Sequence, residues 1–247
     1  MSGQKKVALI SGANKGIGFE TARQLGQIGI VVLLGSRDPA KGEQAAEKLR
    51  SEGIDARAVK LDVVAADDVA AVAESIEREF GKLDILINNA GVMLDSGDMM
   101  SNNVATVTTE ELRTTFDTNF FAVVAITQAL LPLIRKSEAG RIVNVSSILG
   151  SNTLHGSPNS PIYNAKLFAY DASKTALNSF TVHLAHALRD TKIKVNSAHP
   201  GWVKTEMGTD AATMEIVDGA KTEVDLATLS EDGPNGSYIH LGKTLPW

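Results

Sequence analysis

The chain contains no cysteine. This absence excludes disulfides, thiolate metal sites and cysteine nucleophiles, and it fits a reducing compartment such as the cytoplasm. The sequence also lacks a run of about 18 consecutive apolar residues, the length that crossing a membrane requires. The apolar run at residues 7–10 is too short for a secretory signal. We therefore expect a cytoplasmic protein with no membrane segment.

The sequence also has no excess of positive charge. Its 24 Lys and Arg residues are outnumbered by 29 Asp and Glu residues, which gives a net charge of -5. Nucleic-acid binding needs concentrated positive charge to neutralise phosphates, so we do not expect nucleic acid as a partner. With 43% hydrophobic residues and no obvious linker, residues 1–247 are predicted to form a single domain.

Short apolar runs alternate with segments of helical periodicity. Buried strands that alternate with helices predict an α/β fold, a doubly wound parallel sheet of the Rossmann type with helices on both faces. A long helix over residues 109–135, bent at Pro132, and another over 169–189 are also predicted. Ligands bind such sheets at the carboxyl ends of the strands, so the loops that follow the strands are expected to hold the site. Strands are predicted at residues 7–10, 31–34, 56–61, 83–87, 141–145, 194–198 and 238–241.

A glycine-rich turn follows the first predicted strand, with Gly12, Gly16 and Gly18 spaced before a helix. Glycines at these positions permit positive φ and let a pyrophosphate approach the backbone N–H groups. No Gly-Lys-Ser/Thr triplet follows, so the turn is not a P-loop. The pattern predicts a dinucleotide site, although similar turns also serve as simple connectors.

The end of the second strand bears on the choice of cofactor. No carboxylate stands at Gly35 or Ser36 to bind a ribose 2′-hydroxyl, whereas Arg37 offers a cationic fork that suits a 2′-phosphate. Lys15 could add a second positive charge near the same group. These residues favour NADPH over NADH. The alternative interpretation is a solvated Arg37 followed by Asp38 as a helix N-cap.

Tyr170 and Lys174 lie four residues apart and hence on one face of the predicted helix. An ammonium near a phenol favours the phenolate, so we expect Lys174 to lower the pKa of Tyr170 and make it a better acid toward a carbonyl. A Tyr/Lys pair at this spacing is common and usually structural, so its significance depends on the motifs around it.

The motifs of this sequence are, in chain order, Gly12-xxx-Gly16-x-Gly18, Asn88-Asn89-Ala90-Gly91, Asn119, the serines after the fifth strand, Tyr170-xxx-Lys174 and Pro200-Gly201. This order is typical of short-chain dehydrogenases/reductases, and the chain resembles that family along almost its whole length. Residues 14–18, 200–207 and 233–247 resemble the NADPH-dependent carbonyl reductase branch of the family.

The resemblance implies a role for each matching residue. Tyr170 would be the general acid in reduction and the general base in oxidation, and Lys174 would support it and bind the nicotinamide ribose. Ser147, rather than Ser146, would orient the substrate carbonyl, and Asn119 would help to hold a water that leads to the lysine. The cofactor-binding residues implied by the turn and the resemblance are Gly12, Asn14, Lys15, Gly16, Ile17, Gly18, Ser36, Arg37, Asp62, Val63, Asn88, Ala90, Gly91, Tyr170, Lys174, Pro200, Gly201, Val203 and Thr205.

One segment departs from the family pattern. Ser147 and Tyr170 are 23 positions apart, whereas the family commonly has about a dozen. Residues 148–168 are therefore interpreted as a lengthened loop that forms a wall near the site or covers a helix face. This loop contains a rival pair, Tyr163 and Lys166, without the four-residue spacing. Residues 202–232 are predicted to form a substrate-side loop with short helices, where Trp202 and Met207 either shape an apolar pocket or fill the core.

Other chemistries are less well supported. His183 and His186 could share a helix face, but no third ligand is evident, so we expect no metal site. Ser147, Asp171 and His199 lack the Gly-x-Ser-x-Gly elbow of a hydrolase. The favoured function is NADPH-dependent reduction of a ketone or aldehyde. The alternatives are a 3-oxoacyl thioester, a sugar or a steroid as substrate, a methyltransferase, or a non-catalytic NADPH-binding regulatory protein. Monomer and homo-oligomer both stay open.

Overall fold

The computed structural model describes residues 5–95 and 104–247. It contains an eight-stranded sheet in the order β3-β2-β1-β4-β5-β6-β7-β8, in which β1 to β7 run parallel and β8 is antiparallel to β7. The predicted α/β class is therefore confirmed. The strands are β1 Val7–Ser11, β2 Val31–Ser36, β3 Ala56–Lys60, β4 Ile85–Asn88, β5 Arg141–Val145, β6 Lys194–Ala198, β7 Tyr238–His240 and β8 Lys243–Thr244.

Helices cover both faces of this sheet because its central strands are apolar on both sides. The helices are α1 Gly16–Gln27, α2 Pro39–Ser51, α3 Ala66–Phe80, α4 Thr109–Phe116, α5 Ala122–Ile134, α6 Asn152–His155, α7 Phe168–Ala187, α8 Ile216–Gly219 and α9 Lys221–Ala227. In β1, Ala8 and Ile10 face one core cluster, which includes side chains of α1, α2 and α9. Val7 and Leu9 face the other cluster, which includes side chains of α3, α5 and α7.

The long helix predicted over residues 109–135 is divided by a π-helical turn, Asp117–Phe121, between α4 and α5. Pro132 lies in the last turn of α5, where the helix is about to end, and the irregular hydrogen bonding occurs at the π turn instead. By length and composition, the run Thr109–Ile134 could cross a membrane. Within the fold, Ile126 and Leu130 of this run are buried in the core.

Two segments around the site contain short helices. The lengthened loop at residues 148–168 begins with a 3-10 turn, Ile148–Gly150, and contains α6. The predicted substrate side at residues 202–232 contains α8 and α9. The two-residue strand β8 was not predicted, because a strand of that length has no periodicity to detect.

Arg141 anchors the amino end of β5, at the edge of the sheet opposite the strand ends that lead into the functional loops. Its guanidinium is almost fully buried, and within the described residues it donates to backbone carbonyls alone. A planar fork with five N–H groups can satisfy more acceptors than an ammonium, which has three. The accepting carbonyls are those of Ala139, Gly140, Lys192, Leu229 and Ser230, at 2.6 to 3.3 Å.

Replacing Arg141 by lysine should lower the free energy of unfolding by about 2–3 kcal/mol, because buried carbonyls lose their donors. Chemical denaturation measures this loss. Arg57→Lys is the matched control, since Arg57 is 46% exposed and its ion pairs contribute little. An Arg141→Lys protein as stable as the control would contradict the anchoring role.

Candidate active site

The loops that follow the central strands meet at one edge of the sheet. Strand register aligns Ile10 with Ile87, Asn88 with Asn144, and Val145 with Ala198. The chain therefore leaves β1, β4, β5 and β6 on the same side, which is where parallel sheets of this kind bind ligands.

The glycine turn after β1 has the backbone geometry that its sequence predicted. Gly12 and Gly16 adopt positive φ angles of 65° and 59°. Helix α1 begins at Gly16 with no side chain that caps its N-terminus and no acidic residue in its first turn. Its first N–H groups are thus not used by a capping side chain, and they suit a bound anion such as a pyrophosphate.

Asn89 links the loop after β4 to this turn. The sequence motif contains Asn89, but no role was predicted for it. The Asn89 side chain donates to the carbonyls of Ser11 at 2.8 Å and Gly12 at 3.2 Å. A Cβ atom on Gly18 would lie 2.4 Å from Asn89 Nδ2, so the absence of a side chain at Gly18 makes room for this link. The Ser11 hydroxyl accepts from the backbone N–H groups of Asn89 and Ala90, both at 3.0 Å.

Two residues expected to line the cofactor turn their side chains inward. The Asn88 amide is buried and donates to Asn144 Oδ1 at 2.8 Å and Thr127 Oγ1 at 3.0 Å. The Ser36 hydroxyl is buried and donates to the carbonyl of Asp38 at 2.8 Å. Their side chains therefore stabilise the strand ends, which leaves only their backbone for a ligand.

The cationic residues near the turn differ in their partners. Lys15 forms an ion pair with Glu206 in the loop after β6. Next to Arg37, the acid Asp38 caps α2 by accepting from the N–H groups of Ala40 and Lys41. Arg37 is exposed, and no ion pair or hydrogen bond to its side chain occurs among residues 5–95 and 104–247. Arg37 is therefore the more available cation of the two.

The loop after β3 contains the predicted pair Asp62 and Val63, both partly buried. Asp62 accepts from the N–H of Val64 at 3.2 Å, and its own N–H donates to Asp68 at 2.9 Å. The loop is therefore held close to the end of β3 by its own polar groups.

Three of the predicted catalytic side chains converge at the end of β5. Helix α7 places Tyr170 and Lys174 one turn apart, both nearly buried. Lys174 Nζ lies 5.5 Å from the centre of the Tyr170 ring and donates to the carbonyl of Val145 at 2.8 Å. The Ser147 hydroxyl lies close enough to the Tyr170 phenol to lower its pKa. Ser146, by contrast, is buried with an unpartnered hydroxyl, so the geometry favours Ser147 of the two serines.

The charges in this cluster are strongly affected by burial. Burial raises the pKa of Tyr170 to about 12, against the lowering effect of its hydrogen bond to Ser147. The expected lowering of the Tyr170 pKa is therefore wrong for the free protein, because desolvation is the largest influence on this phenol and Asp171 adds to it. Burial also lowers the pKa of Lys174 to about 8, while Glu223 raises it. At neutral pH, Tyr170 is protonated and able to donate.

Glu223 of α9 is a buried acid that the sequence did not reveal. It is fully buried, one of its oxygens accepts from Thr21 Oγ1 at 2.8 Å, and the other has no partner within the described part of the chain. Burial raises its pKa to about 8, against the lowering effect of Lys174. Its electrostatic coupling to Lys174 makes it part of the surroundings of the cluster.

Asn119 occupies the π turn between α4 and α5 and connects two parts of the site. Its side chain pairs with both polar groups of the Val92 backbone at 2.8 Å. It also donates to Ser173 Oγ on α7 at 3.0 Å. Asn119 thus holds the loop after β4 against the helix that carries Tyr170 and Lys174.

Asp95, which the sequence analysis missed, caps the N-terminus of α7 from the same loop. Its carboxylate accepts from the backbone N–H of Ala169 at 2.8 Å and of Tyr170 at 3.0 Å. A carboxylate at a helix N-terminus satisfies free donors and complements the helix dipole. Because one of these donors belongs to Tyr170 itself, Asp95 helps to fix the start of α7.

The loop after β6 carries the predicted residues Pro200, Gly201, Val203 and Thr205. Gly201 has a φ of 97°, and a Cβ atom there would lie 2.7 Å from Met214 Sδ. Val203 is buried and bridges to Met214, and the Thr205 hydroxyl accepts from the N–H of Gly208 at 3.1 Å. Trp202 and Met207 are 48% and 40% exposed, so neither fills the core.

The rival assignments do not assemble into sites. Tyr163 is 39% exposed and stacks with Lys166, away from the Ser147 cluster. Asp171 accepts from the N–H of Leu167, and His199 accepts from backbone N–H groups, so neither forms a triad with Ser147. Over residues 5–95 and 104–247, no three potential metal-ligating side chains group together.

Comparison with known proteins agrees with this geometry. The family model described as short chain dehydrogenase matches residues 6–216. Carbonyl reductase [NADPH] 1 of Mus musculus is 32% identical over 285 aligned positions that cover 100% of both chains. Short-chain dehydrogenase/reductase 1 of Saponaria officinalis is 33% identical, with 99% of this chain and 97% of that one covered.

Solved structures give the same result. The NADPH-bound carbonyl reductase from chicken fatty liver has a TM-score of 0.84 at 28% identity, covering 99% of this chain and 100% of that chain. Salutaridine reductase from Papaver somniferum has a TM-score of 0.81 at 31% identity, covering 95% and 99%.

Replacing Asp95 by alanine should lower the free energy of unfolding by about 1–2 kcal/mol and reduce kcat, because two N–H groups at the start of α7 lose their acceptor. Thermal melting and steady-state kinetics measure the two effects. Asp95→Asn keeps one acceptor oxygen and should lie between alanine and the native protein. If the alanine variant retains both its stability and its kcat, Asp95 does not hold the helix.

Proposed function

Because the chain belongs to the short-chain dehydrogenase family, we propose that it is an NADPH-dependent carbonyl reductase in which Tyr170 is the proton donor. The observation that carries this function is the convergence of Ser147, Tyr170 and Lys174 at the carboxyl end of β5. The carbonyl reductases among its relatives support the same reaction and the same cofactor.

The residues around the glycine turn fit a dinucleotide. The uncapped N-terminus of α1 and the positive φ angles of Gly12 and Gly16 suit the pyrophosphate. Gly91 lies beside the catalytic cluster, since a Cβ atom there would be 3.6 Å from Lys174 Nζ. We assign the cofactor-binding surface to the turn, to the backbone of Ala90 and Gly91, and to the loops that begin at Asp62 and Pro200.

Arg37 gives the preference for the phosphorylated cofactor. It follows the buried Ser36 directly and is exposed at the end of β2, where the family binds the adenosine ribose. A guanidinium matches a phosphate in charge and in hydrogen-bonding geometry. Lys15 can contribute only if it leaves Glu206, an exchange that needs little energy because both side chains are largely exposed.

When bound, NADPH supplies the hydride for the carbonyl carbon. The chain supplies orientation and the proton: Ser147 donates a hydrogen bond to the carbonyl oxygen, and Tyr170 transfers its proton to that oxygen as negative charge develops on it. The Lys174 ammonium stabilises the phenolate that remains. Its hydrogen bond to Val145 keeps it beside Tyr170 throughout.

Tyr170 suits the acid in this reaction because burial keeps it protonated across the physiological pH range. Lys174 sets an upper pH limit, because its pKa is about 8 in the free protein. As the pH rises above that value, Lys174 loses its proton and its charge. Both conditions for reduction are therefore met at neutral pH and below.

Replacing Tyr170 by phenylalanine should lower kcat by about a thousandfold, because the proton donor is lost. Binding of NADPH, followed by fluorescence titration, should be nearly unchanged. Tyr163→Phe removes an exposed phenol from the neighbouring loop and should retain native activity. Native turnover in the Tyr170→Phe protein with any ketone or aldehyde would refute the assignment.

Replacing Arg37 by alanine should raise the KM for NADPH by about 10- to 100-fold, because a charged partner of the 2′-phosphate is lost. The KM for NADH should change little, since NADH has no such phosphate. Arg78→Ala removes a comparably exposed cation from α3 and serves as the control. If the ratio of the KM for NADPH to the KM for NADH is unaltered, Arg37 does not bind the cofactor.

A further inference from the structure

We propose that His199 and Tyr238 are positioning residues that hold the peptide group after Ser147 and so aim the Ser147 hydroxyl. The proposal rests on the proposed function, because it assumes that Ser147 orients the carbonyl. It concerns two side chains outside the family motifs, one at the end of β6 and one in β7.

The peptide group between Ser147 and Ile148 is held on both of its polar atoms. Its carbonyl accepts from the Tyr238 phenol and from the N–H of Gly150 at 2.8 Å, and its N–H donates to His199 Nδ1 at 3.1 Å. The N–H of Ile148 is the first of a 3-10 turn and has no partner within that turn, so it needs an acceptor from elsewhere. His199 supplies that acceptor.

His199 can accept only as a neutral ring with its proton on Nε2. Its Nδ1 faces two donors, the N–H of Ile148 and, at 3.4 Å, that of Gly201. Burial, with a further contribution from His240, lowers the pKa of His199 to about 3. The ring is therefore a constant acceptor, and it connects the serine loop to the loop after β6.

Tyr238 is completely buried, and the C-terminal segment keeps it in place. Its ring stacks on Trp247 with the centroids 5.5 Å apart, and the carbonyl of Trp247 accepts from the N–H of Thr153 at 3.0 Å. Strand register links the two positioning residues, because the N–H of His199 donates to the carbonyl of Ile239 at 2.8 Å. Rotation of the held peptide would require both contacts to break.

The held peptide affects catalysis through the orientation of the Ser147 hydroxyl. Ser147 is extended, with φ of -152° and ψ of 149°, and its ψ is fixed by the peptide that His199 and Tyr238 hold. A hydroxyl that must meet both Tyr170 and a substrate oxygen loses efficiency when its backbone rotates, because catalysis depends on alignment. The loss should appear in kcat and not in cofactor affinity.

A double-mutant cycle with Tyr238→Phe and Ser147→Ala tests this proposal. Tyr238→Phe keeps the ring on Trp247 and removes only the hydroxyl, and it should lower kcat about tenfold with the dissociation constant for NADPH unchanged. In the Ser147→Ala background, the same change should lower kcat by less than about twofold, because there is no longer a hydroxyl to aim. Tyr163→Phe again serves as the control for loss of a phenol.

An equal loss of kcat from Tyr238→Phe in both backgrounds would show a general structural effect and overturn the proposal. Native kcat in Tyr238→Phe alone would do the same. Native kcat in Ser147→Ala would instead reject the role of Ser147 in the proposed function, so the two failures are distinguishable.

Variants of His199 provide a second test of the proposal, which does not depend on how well the Tyr238→Phe protein folds. His199→Asn supplies an oxygen acceptor near the position of Nδ1, whereas His199→Leu supplies none. The asparagine variant should retain a kcat about fivefold or more above that of the leucine variant at equal melting temperature. Equal kcat values in the two variants would exclude His199 as a positioning residue.

Discussion

The proposed active site depends on one buried cation, Lys174, held at the carboxyl end of β5. The Lys174 ammonium has little contact with solvent, and its contacts are the carbonyl of Val145 and the ring of Tyr170. Desolvation disfavours this charge and lowers the pKa of Lys174, and coupling to the buried Glu223 acts in the opposite direction. A lysine in such surroundings is sensitive to its neighbours, which suits a group that must respond to charge on the adjacent phenol.

Rigid support around this cation comes from polar side chains that bind backbone. Asn119 pairs with the backbone of Val92, Asp95 with the start of α7, and Asn89 with the glycine turn. Each of these residues joins a loop to a different element, so the loops at this edge do not depend on their own turn geometry alone. Because buried polar groups are costly to leave unpaired, such contacts favour one arrangement of the site over others.

The sheet and the pairing of Tyr170 with Lys174 could be predicted from the sequence because the patterns that indicate them are local. Apolar runs marked the strands, and the four-residue spacing of Tyr170 and Lys174 predicted a shared helix face. The residues that were missed act over long distances in sequence. Asp95 contacts a residue 75 positions away, and Glu223 contacts one 202 positions away. No spacing rule predicts such contacts, since they exist only after the sheet has assembled.

Burial also reversed one sequence expectation, and the reversal clarifies the chemistry. The lysine was expected to lower the pKa of Tyr170, but the buried phenol titrates near 12 in the free protein. A donor held in its neutral form loses no proton to solvent before the substrate arrives. The charge of Lys174 then acts chiefly when a phenolate forms, because an ammonium interacts much more strongly with that anion than with the neutral phenol. Burial therefore keeps Tyr170 in its neutral, donating form at rest, and the ammonium favours the phenolate that proton transfer leaves.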